Sequence, residues 1–253
     1  MKIRRKLPKP LRSKPPLHVI GFSSSPTLAE LRTWFDLEYG GPLSFKDHPI
    51  GKEPASSSPL MATHGPWSAW MLLSAPSAQA DAWQQRLEWR HTTCAAVGAV
   101  TATKSNSADV ILHAARLARG ITLLTEGTAY DVTMQTYLNP SDWTDRPLSQ
   151  FSVKDHVTVV HSEDAEGQRD WLYTRGLSKF GLDEIEVFQP IGLPIHTVSE
   201  NLLDIADELL RIGQSPSVGS TIPIPTRAFS IRVVRHRTHP SADTPLILRE
   251  IVW

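Results

Sequence analysis

Apolar residues in the first half of the chain recur in segments that alternate between strand-like and helix-like spacing. Residues 17–22 form a short apolar run typical of a strand, and the helical repeat of LAELRTWFDLEY predicts a helix that Gly40 and Gly41 end. The next predicted elements are a strand at 67–73, a helix at 78–89, a strand at 92–103 and a helix at 108–120. Strand and helix therefore alternate through this half.

The second half has the pattern of a strand meander followed by one strongly amphipathic helix. Its predicted strands are residues 156–161, 170–174, 185–188, 229–234 and 245–252, with a polar turn between the last two. In SENLLDIADELLRIG, Ser199 is the predicted N-cap and Gly213 the predicted end. We expect this helix to pack across one face of an antiparallel sheet through Leu202, Ile205, Ala206 and Leu209.

Strands and helices mix without a strict parallel rhythm, which favours an α+β fold of two sandwich-like halves. The irregular stretch 140–152 is the predicted boundary between a first α+β half at 17–140 and a second at 152–253. Residues 1–16 are basic and rich in proline, two properties that oppose packing, so they are predicted to be a disordered arm.

Composition narrows the classes of function. With 26 Lys+Arg and 26 Asp+Glu the formal net charge is +0, so no global field attracts nucleic acid or an anionic membrane. The apolar runs are far shorter than the roughly 20 residues that span a bilayer. A single cysteine, Cys94, excludes an intramolecular disulfide and fits a reducing compartment. We predict a cytoplasmic protein without a nucleic-acid or membrane partner.

No sequence motif points to a catalytic residue, a metal or a cofactor. G-x-S-x-G, G-x-x-x-x-G-K-[ST], H-E-x-x-H and G-x-G-x-x-G are all absent from the sequence. His236 and His239 form an H-x-x-H pair, but the two neighbouring arginines oppose a cation, so a polar surface turn is favoured. His156 and His161 are five residues apart on a predicted strand and point to opposite faces. A convergent triad requires only geometry and stays open.

The segment WLYTRGLSKFGLDEIEVF, residues 171–188, places a polar cluster between two apolar strands. Gly176 and Gly181 stand where a turn requires positive φ, and Thr174 and Glu184 are placed to hydrogen-bond the turn's backbone. These features predict a structural corner. The functional alternative is a binding surface on a rigid turn, with candidate residues Arg175, Lys179, Glu184 and Glu186.

This segment resembles the carboxy-terminal signature of a family of bacterial proteins known only as a domain of unknown function, W-x-x-T-x-G-[LM]-x-x-F-G-x-x-E-[LI]-E. The matching residues are Trp171, Thr174, Gly176, Leu177, Phe180, Gly181, Glu184, Ile185 and Glu186. The resemblance covers about the last third of the chain and implies no reaction. Proteins similar to this family often occur as accessory or immunity components beside bacterial toxins, so the resemblance implies a toxin as partner.

These observations favour a non-enzymatic protein-interaction module over an enzyme. The 8 tryptophans agree with this interpretation because aromatic residues anchor interfaces, although core packing explains tryptophan equally well. The alternative is a hydrolase-like enzyme with a His and carboxylate site between the two halves. A deep pocket with converging His, Asp or Glu indicates the enzyme, and a flat charged or aromatic patch indicates binding. Sequence leaves the partner and the oligomeric state open.

Overall fold

The computed structural model describes residues 15–46, 59–73, 81, 83, 96–103, 106–163, 169–192, 194–240 and 245–253. These residues form two compact units. The first takes in the described parts of Met1–Ser105, His113–Val132 and Tyr137–Asp145, and the second those of Asn106–Leu112, Thr133–Thr136 and Arg146–Trp253. Helices and strands both contribute, which confirms the α+β class. The predicted arm and the predicted helix at 78–89 lie almost entirely outside the described residues.

The first sheet has seven strands, and it contains the strands predicted at 17–22, 67–73 and 92–103. They are β1 (His18–Phe22), β2 (Ser44–Lys46), β3 (Leu60–His64), β4 (Trp67–Leu72), β5 (Ala96–Ala102), β6 (Thr128–Asp131) and β7 (Thr136–Leu138). Their order is β2-β3-β4-β5-β1-β6-β7. All five residues of β1 are buried, and β1 pairs antiparallel with both β5 and β6. The short strands β2, β3, β6 and β7 were missed by the sequence pattern.

Helix α1 (Leu28–Tyr39) begins and ends where its sequence predicts. Thr27 caps it: the amide of Glu30 donates to Thr27 Oγ1 at 3.2 Å, and the amide of Thr27 donates to the Glu30 carboxylate at 2.8 Å. This reciprocal pair satisfies two amides that have no acceptor within the helix. Gly40 ends the helix with a φ of 66°.

Helix α2 (Ala108–Thr125) continues past its predicted end at Gly120. A Cβ at Gly120 would lie 2.6 Å from Trp34 Cζ3 and 3.0 Å from Leu31 Cδ1, both on α1. Glycine is therefore required here for the close approach of two helices, and it does not end α2. Two short helices follow, α3 (Pro140–Thr144) and α4 (Val153–His156), within and just after the predicted boundary.

The second sheet has six strands. They are β8 (Thr158–Glu163), β9 (Arg169–Arg175), β10 (Glu184–Pro190), β11 (Thr221–Ile224), β12 (Phe229–His239) and β13 (Leu246–Val252), in the order β11-β12-β13-β10-β9-β8. The predicted meander β8-β9-β10 is antiparallel. One pair, β10 with β13, is parallel, so the sheet is mixed.

The amphipathic helix α5 (Ile195–Ile212) covers one face of this sheet, as predicted. Its buried residues Leu202, Ile205, Ala206 and Leu209 join one apolar cluster with strand residues that include Leu172, Ile185, Val187, Ile231, Val233 and Ile251. Each such aliphatic side chain contributes roughly 2 kcal/mol when it leaves water. The helix ends at Gly213 as predicted, but it begins about one turn before Ser199, with Pro194 as N-cap.

Residues 235–239 are strand, so the polar turn predicted between the last two strands is wrong over this part, while residues 241–244 lie outside the described residues. β12 continues to His239 and stays paired with β13, down to the register His239↔Leu246. One face of this strand carries polar residues, so its composition resembles that of a turn. This resemblance explains why the sequence predicted a turn here. His236 and His239 are three residues apart on this strand, and alternation directs their side chains to opposite faces.

Candidate functional site

The carboxylate of Glu184 organises the corner between β9 and β10. Glu184 is only 2 % exposed, and it accepts hydrogen bonds from Thr174 Oγ1 at 2.8 Å and from the amides of Gly176, Leu177 and Ser178 at 3.0–3.2 Å. These amides lie at the start of a 3-10 helix at Leu177–Phe180, where backbone donors lack acceptors within the helix. The prediction that Glu184 hydrogen-bonds the turn's backbone is confirmed. Thr174 instead donates to Glu184 and accepts from the amide of Ile185 on β10 at 3.0 Å.

Two opposing effects act on the Glu184 carboxyl group. Burial raises its pKa, because a charge in the interior loses its hydration, and the hydrogen bonds from the corner act in the opposite direction. Burial is the larger effect. Glu184 is thus a structural acceptor whose oxygens are already occupied by donors of its own chain.

Both glycines of the corner have the backbone that the sequence predicts. Gly176 has a φ of 127° and Gly181 a φ of 78°. A Cβ at Gly176 would lie 2.1 Å from the carbonyl oxygen of His156, whereas a Cβ at Gly181 would meet only Asn106 Nδ2 at 3.1 Å. Gly176 is therefore required both for its conformation and for the approach of another segment.

The side chain of Lys179 connects the corner to the last residue of α4 by a hydrogen bond. It is 5 % exposed, and its Nζ donates to the carbonyl oxygen of His156 at 2.9 Å. The His156 ring lies nearly parallel to Phe151 at 5.0 Å and edge-on to Phe180 at 6.3 Å. Lys179 is therefore an interior residue with a structural bond.

Glu186, the last of the four candidate binding residues, is fully buried. Its carboxylate accepts from Trp171 Nε1 at 2.7 Å and from Nε and Nη2 of Arg237 at 2.7 and 2.5 Å. Among the candidates only Arg175 is partly exposed. In this conformation Arg175 is thus the one candidate available for direct contact with a partner, and its role in binding stays a prediction.

Alternation along the strands defines a second face of the sheet, opposite α5. On β9, the side chain of Leu172 packs in the core between the sheet and α5, so the side chains of Trp171 and Tyr173 point to the opposite face of the sheet. On β12, Ile231 and Val233 enter that core. We call the opposite surface the arginine face, because it carries Arg169, Arg175, Arg232, Arg235 and Arg237.

A β-bulge brings the β12 arginines to one face. The register of β12 against β13 shifts between Val233 and Arg235. Without that shift, strict alternation would place Arg232 on the face opposite Arg235 and Arg237. The extra residue, Val234, is 40 % exposed at the bulge. A local irregularity thus assembles three basic residues on one side.

Three aromatic rings form the floor of the arginine face. The rings of Trp171 and Tyr173 are stacked with centroids 4.3 Å apart, and Phe188 lies parallel to Trp171 at 6.2 Å. Trp171 and Tyr173 are each 8 % exposed, so neighbouring side chains cover most of their surface.

Three guanidinium groups lie over this aromatic floor. Arg169 is 4.5 Å from the centroid of Phe188, Arg175 is 5.6 Å from that of Tyr173, and Arg237 is 5.1 Å from that of Trp171. Such cation-π contacts fix the orientation of a side chain that is otherwise flexible.

The arginine face has an excess of positive charge. Among the described residues, its carboxylates are Glu186, which forms a bidentate pair with Arg237, Glu250, whose contact with Arg235 is 3.9 Å long, and Glu184, which alternation along β10 places on the same side. The bond from Glu186 raises the pKa of Arg237 further. In the described part of this face, five arginines against three glutamates leave a formal excess of two positive charges. The neutral total charge of the chain conceals this patch, although the spacing of arginines in RVVRHR was a visible signal.

The first unit contains a separate cluster of titratable groups around one buried histidine. His113 is fully buried, with Nε2 3.2 Å from the carbonyl oxygen of Ala62, and burial lowers its pKa to about 4. Its ring lies 6.3 Å from that of His64, whose Nε2 is 2.8 Å from the carbonyl oxygen of Gly40. Burial also raises the pKa of Tyr39 to about 12. These imidazoles contact main-chain carbonyls, as structural histidines do.

In the part of the chain that the structure describes, no three His, Cys, Asp or Glu side chains are grouped as a metal site would require. Across the same residues, no helix is long and apolar enough to cross a membrane.

Comparison with protein-family models, curated proteins and solved structures gives no match. The resemblance of residues 171–186 to a bacterial family therefore stays a prediction.

Proposed function

We propose that this protein is a non-catalytic protein-binding module that docks its partner on the arginine face. The observation that carries the proposal is the layer of arginines held over stacked aromatic rings on a sheet. Arginine and aromatic residues are enriched at the energetic centres of protein interfaces, and a sheet supplies a rigid base for them. Such a surface loses little side-chain entropy on binding, because several of its side chains are already positioned.

The roles of the corner residues support binding rather than catalysis. Glu184 and Glu186 are the two carboxylates of the signature-like segment, and their oxygens accept hydrogen bonds from their own chain. A general acid or base must reach a proton on the substrate. Both groups instead hold the corner and the aromatic floor in place.

The resemblance to a bacterial family suggests a narrower form of this proposal. In that form the protein is a cytoplasmic accessory or immunity component, and its partner is a toxin. The broader proposal, a protein partner on the arginine face, does not depend on that resemblance.

Affinity purification of the full chain from its native host, followed by mass spectrometry, tests the proposal. We expect a protein that co-elutes with the parent and is reduced about tenfold or more by the double substitution Arg175→Ala, Arg235→Ala. Arg211→Ala is the matched control, because Arg211 lies on α5 and its side chain is 71 % exposed. Equal recovery with all three proteins contradicts the docking surface. The absence of any partner at stoichiometric level contradicts the function.

A further inference from the structure

We infer that the arginine face recognises an acidic polypeptide segment, with Arg175, Arg232 and Arg235 as its main determinants. This inference rests on the proposed function and adds the chemistry of the partner. Its basis is the spacing of the arginines, the way they are held, and the exposed apolar residues beside them.

The arginines form two rows on the same face of the sheet, one row on β9 and the other on β12. Arg169 and Arg175 are on β9, and the other three are on β12. Between these strands lie β13 and β10, so the rows are three strand spacings apart, about 14 Å. The strip between them carries the partly buried apolar residues Leu246 and Phe188 and the fully buried Leu248, together with Glu186 and Glu250. An extended segment laid across this strip can place acidic side chains at both rows.

The arginines of β12 differ in how much of their charge is available to a partner. Arg237 is paired with the buried carboxylate of Glu186, and its side chain is 22 % exposed. Arg235 has a side chain that is 60 % exposed and meets Glu250 only at 3.9 Å, and Arg232 is exposed as well. Arg237 therefore stabilises the floor, whereas Arg232 and Arg235 retain charge for an incoming carboxylate.

A cation-π contact leaves a guanidinium able to pair with a carboxylate. Arg175 Cζ lies over the Tyr173 ring, 5.6 Å from its centroid, and this contact with the ring leaves N–H donors of the guanidinium for a partner. Bidentate recognition of a carboxylate uses such N–H groups. Tyr173 thus presents Arg175 in a fixed orientation, with lower entropy loss on binding.

Two observations favour a polypeptide over a single-stranded nucleic acid. Base recognition on a sheet requires accessible aromatic rings, but Trp171 and Tyr173 are each 8 % exposed. Val252, which is paired with Arg232, is 45 % exposed, and Val234 at the bulge is 40 % exposed. Exposed aliphatic residues among arginines fit a segment that mixes acidic and apolar side chains.

Fluorescence anisotropy with defined probes tests the inference. The probe is a labelled peptide of repeated Glu-Glu-Leu, about 15 residues long, which spans roughly 50 Å when extended. A Lys-Lys-Leu peptide and an oligothymidylate of similar length are the comparison probes. We expect the acidic peptide alone to bind, with an affinity that falls as salt is added.

Variants assign the binding to the arginine face. Arg175→Ala, Arg232→Ala and Arg235→Ala combined should weaken binding of the acidic peptide about tenfold or more, and Arg211→Ala should leave it unchanged. If the alanine variant fails to fold, the corresponding glutamine substitutions replace it. Thermal melts establish folding in each case.

Three outcomes distinguish failure of the inference from failure of the proposed function. Binding of the oligothymidylate through the same arginines overturns the inference in favour of nucleic acid. If the acidic peptide does not bind but a host protein docks on this face, the acidic partner is wrong and the proposed function stands. If neither binds, both fail.

Discussion

Glu184 and Glu186 are two residues apart, and both are interior carboxylates with different tasks. Glu184 accepts three backbone amides and so shapes a turn, whereas Glu186 holds an indole and a guanidinium beneath an exposed surface. Burial of a carboxylate is tolerated only when donors surround it. A partner therefore meets the arginines that these carboxylates position, and not the carboxylates themselves.

Substitution of the two corner glycines should have unequal effects. Gly176→Ala should lower the free energy of unfolding by about 3 kcal/mol, because positive φ and a clash with the His156 carbonyl add together. Gly181→Ala should cost about 1 kcal/mol, since it meets only a side-chain amide. Ser178→Ala is the control, because Glu184 binds its backbone amide. Urea unfolding measures all three, and equal stability of Gly176→Ala and the parent contradicts this account of the corner.

His113 should make the protein sensitive to acid. Burial lowers its pKa to about 4, while an unfolded histidine titrates near 6.5. The unfolded chain therefore binds a proton first, so stability is complete above about pH 6.5 and is lost as the pH falls towards 4. The expected loss is about 3 kcal/mol.

Urea unfolding at about pH 7 and about pH 4 measures this loss. His113→Phe should reduce the difference between the two values, because the variant removes the titrating group. His236→Gln, at an exposed position of β12, is the control and should leave the difference unchanged. A pH dependence as steep in His113→Phe as in the parent rules out His113 as its source.

At the scale of elements, α5 and β12 show why amphipathicity is easier to interpret in a helix than in a strand. The apolar side of α5 repeats over 18 residues, and packing on the sheet adds to the signal. β12 has 11 residues, a bulge and a polar face, so only its first half has a strand pattern. A bulge shifts the period by one residue, and simple alternation then fails.

Truncation of the helix core should confirm what α5 contributes. Ile205→Ala should lower the free energy of unfolding by about 3 kcal/mol, because it removes buried methyl groups and leaves a cavity. Asp207→Ala, on the exposed side of the same helix, should change it by less than about 0.5 kcal/mol. Chemical denaturation of both variants gives the comparison. Similar losses for the two would show that α5 does not pack through its apolar face.

Gly120→Ala should change the stability of the protein in the direction opposite to the usual effect of alanine in a helix. Alanine normally stabilises the middle of a helix by about 1 kcal/mol relative to glycine. At this position the new Cβ would overlap the Trp34 ring, so Gly120→Ala should instead destabilise the protein by about 1 kcal/mol or more. Trp34→Ala, Gly120→Ala should lose less than the sum of the two single variants. A Gly120→Ala protein that is more stable than the parent contradicts the close helix contact.

At the scale of the whole molecule, neutral composition coexists with a local positive surface. The chain has 26 basic and 26 acidic residues, yet the described part of the arginine face carries five of the basic residues against three glutamates. Charges that share a surface act together on a ligand, whereas dispersed charges largely cancel. Total charge therefore says little about what a single face attracts.

Cation-exchange chromatography near neutral pH should detect this asymmetry. Arg235→Glu and Arg211→Glu change the net charge equally, but only Arg235 belongs to the arginine face. We expect Arg235→Glu to elute at lower salt than Arg211→Glu, because it weakens a clustered field. Identical elution of the two variants would indicate that the face does not act as a patch.

The sequence by itself determined the α+β class, most of the longer elements and the architecture of the corner. These follow from local physics: helical periodicity, positive φ at Gly176 and Gly181, and a carboxylate placed to accept the amides of a turn. Only the tertiary structure decided that α2 continues through Gly120, that Lys179 is buried, and that arginines of β9 and β12 share one surface. Each of these depends on contacts between residues distant in the chain, and on a bulge that reverses which side chains face the same way.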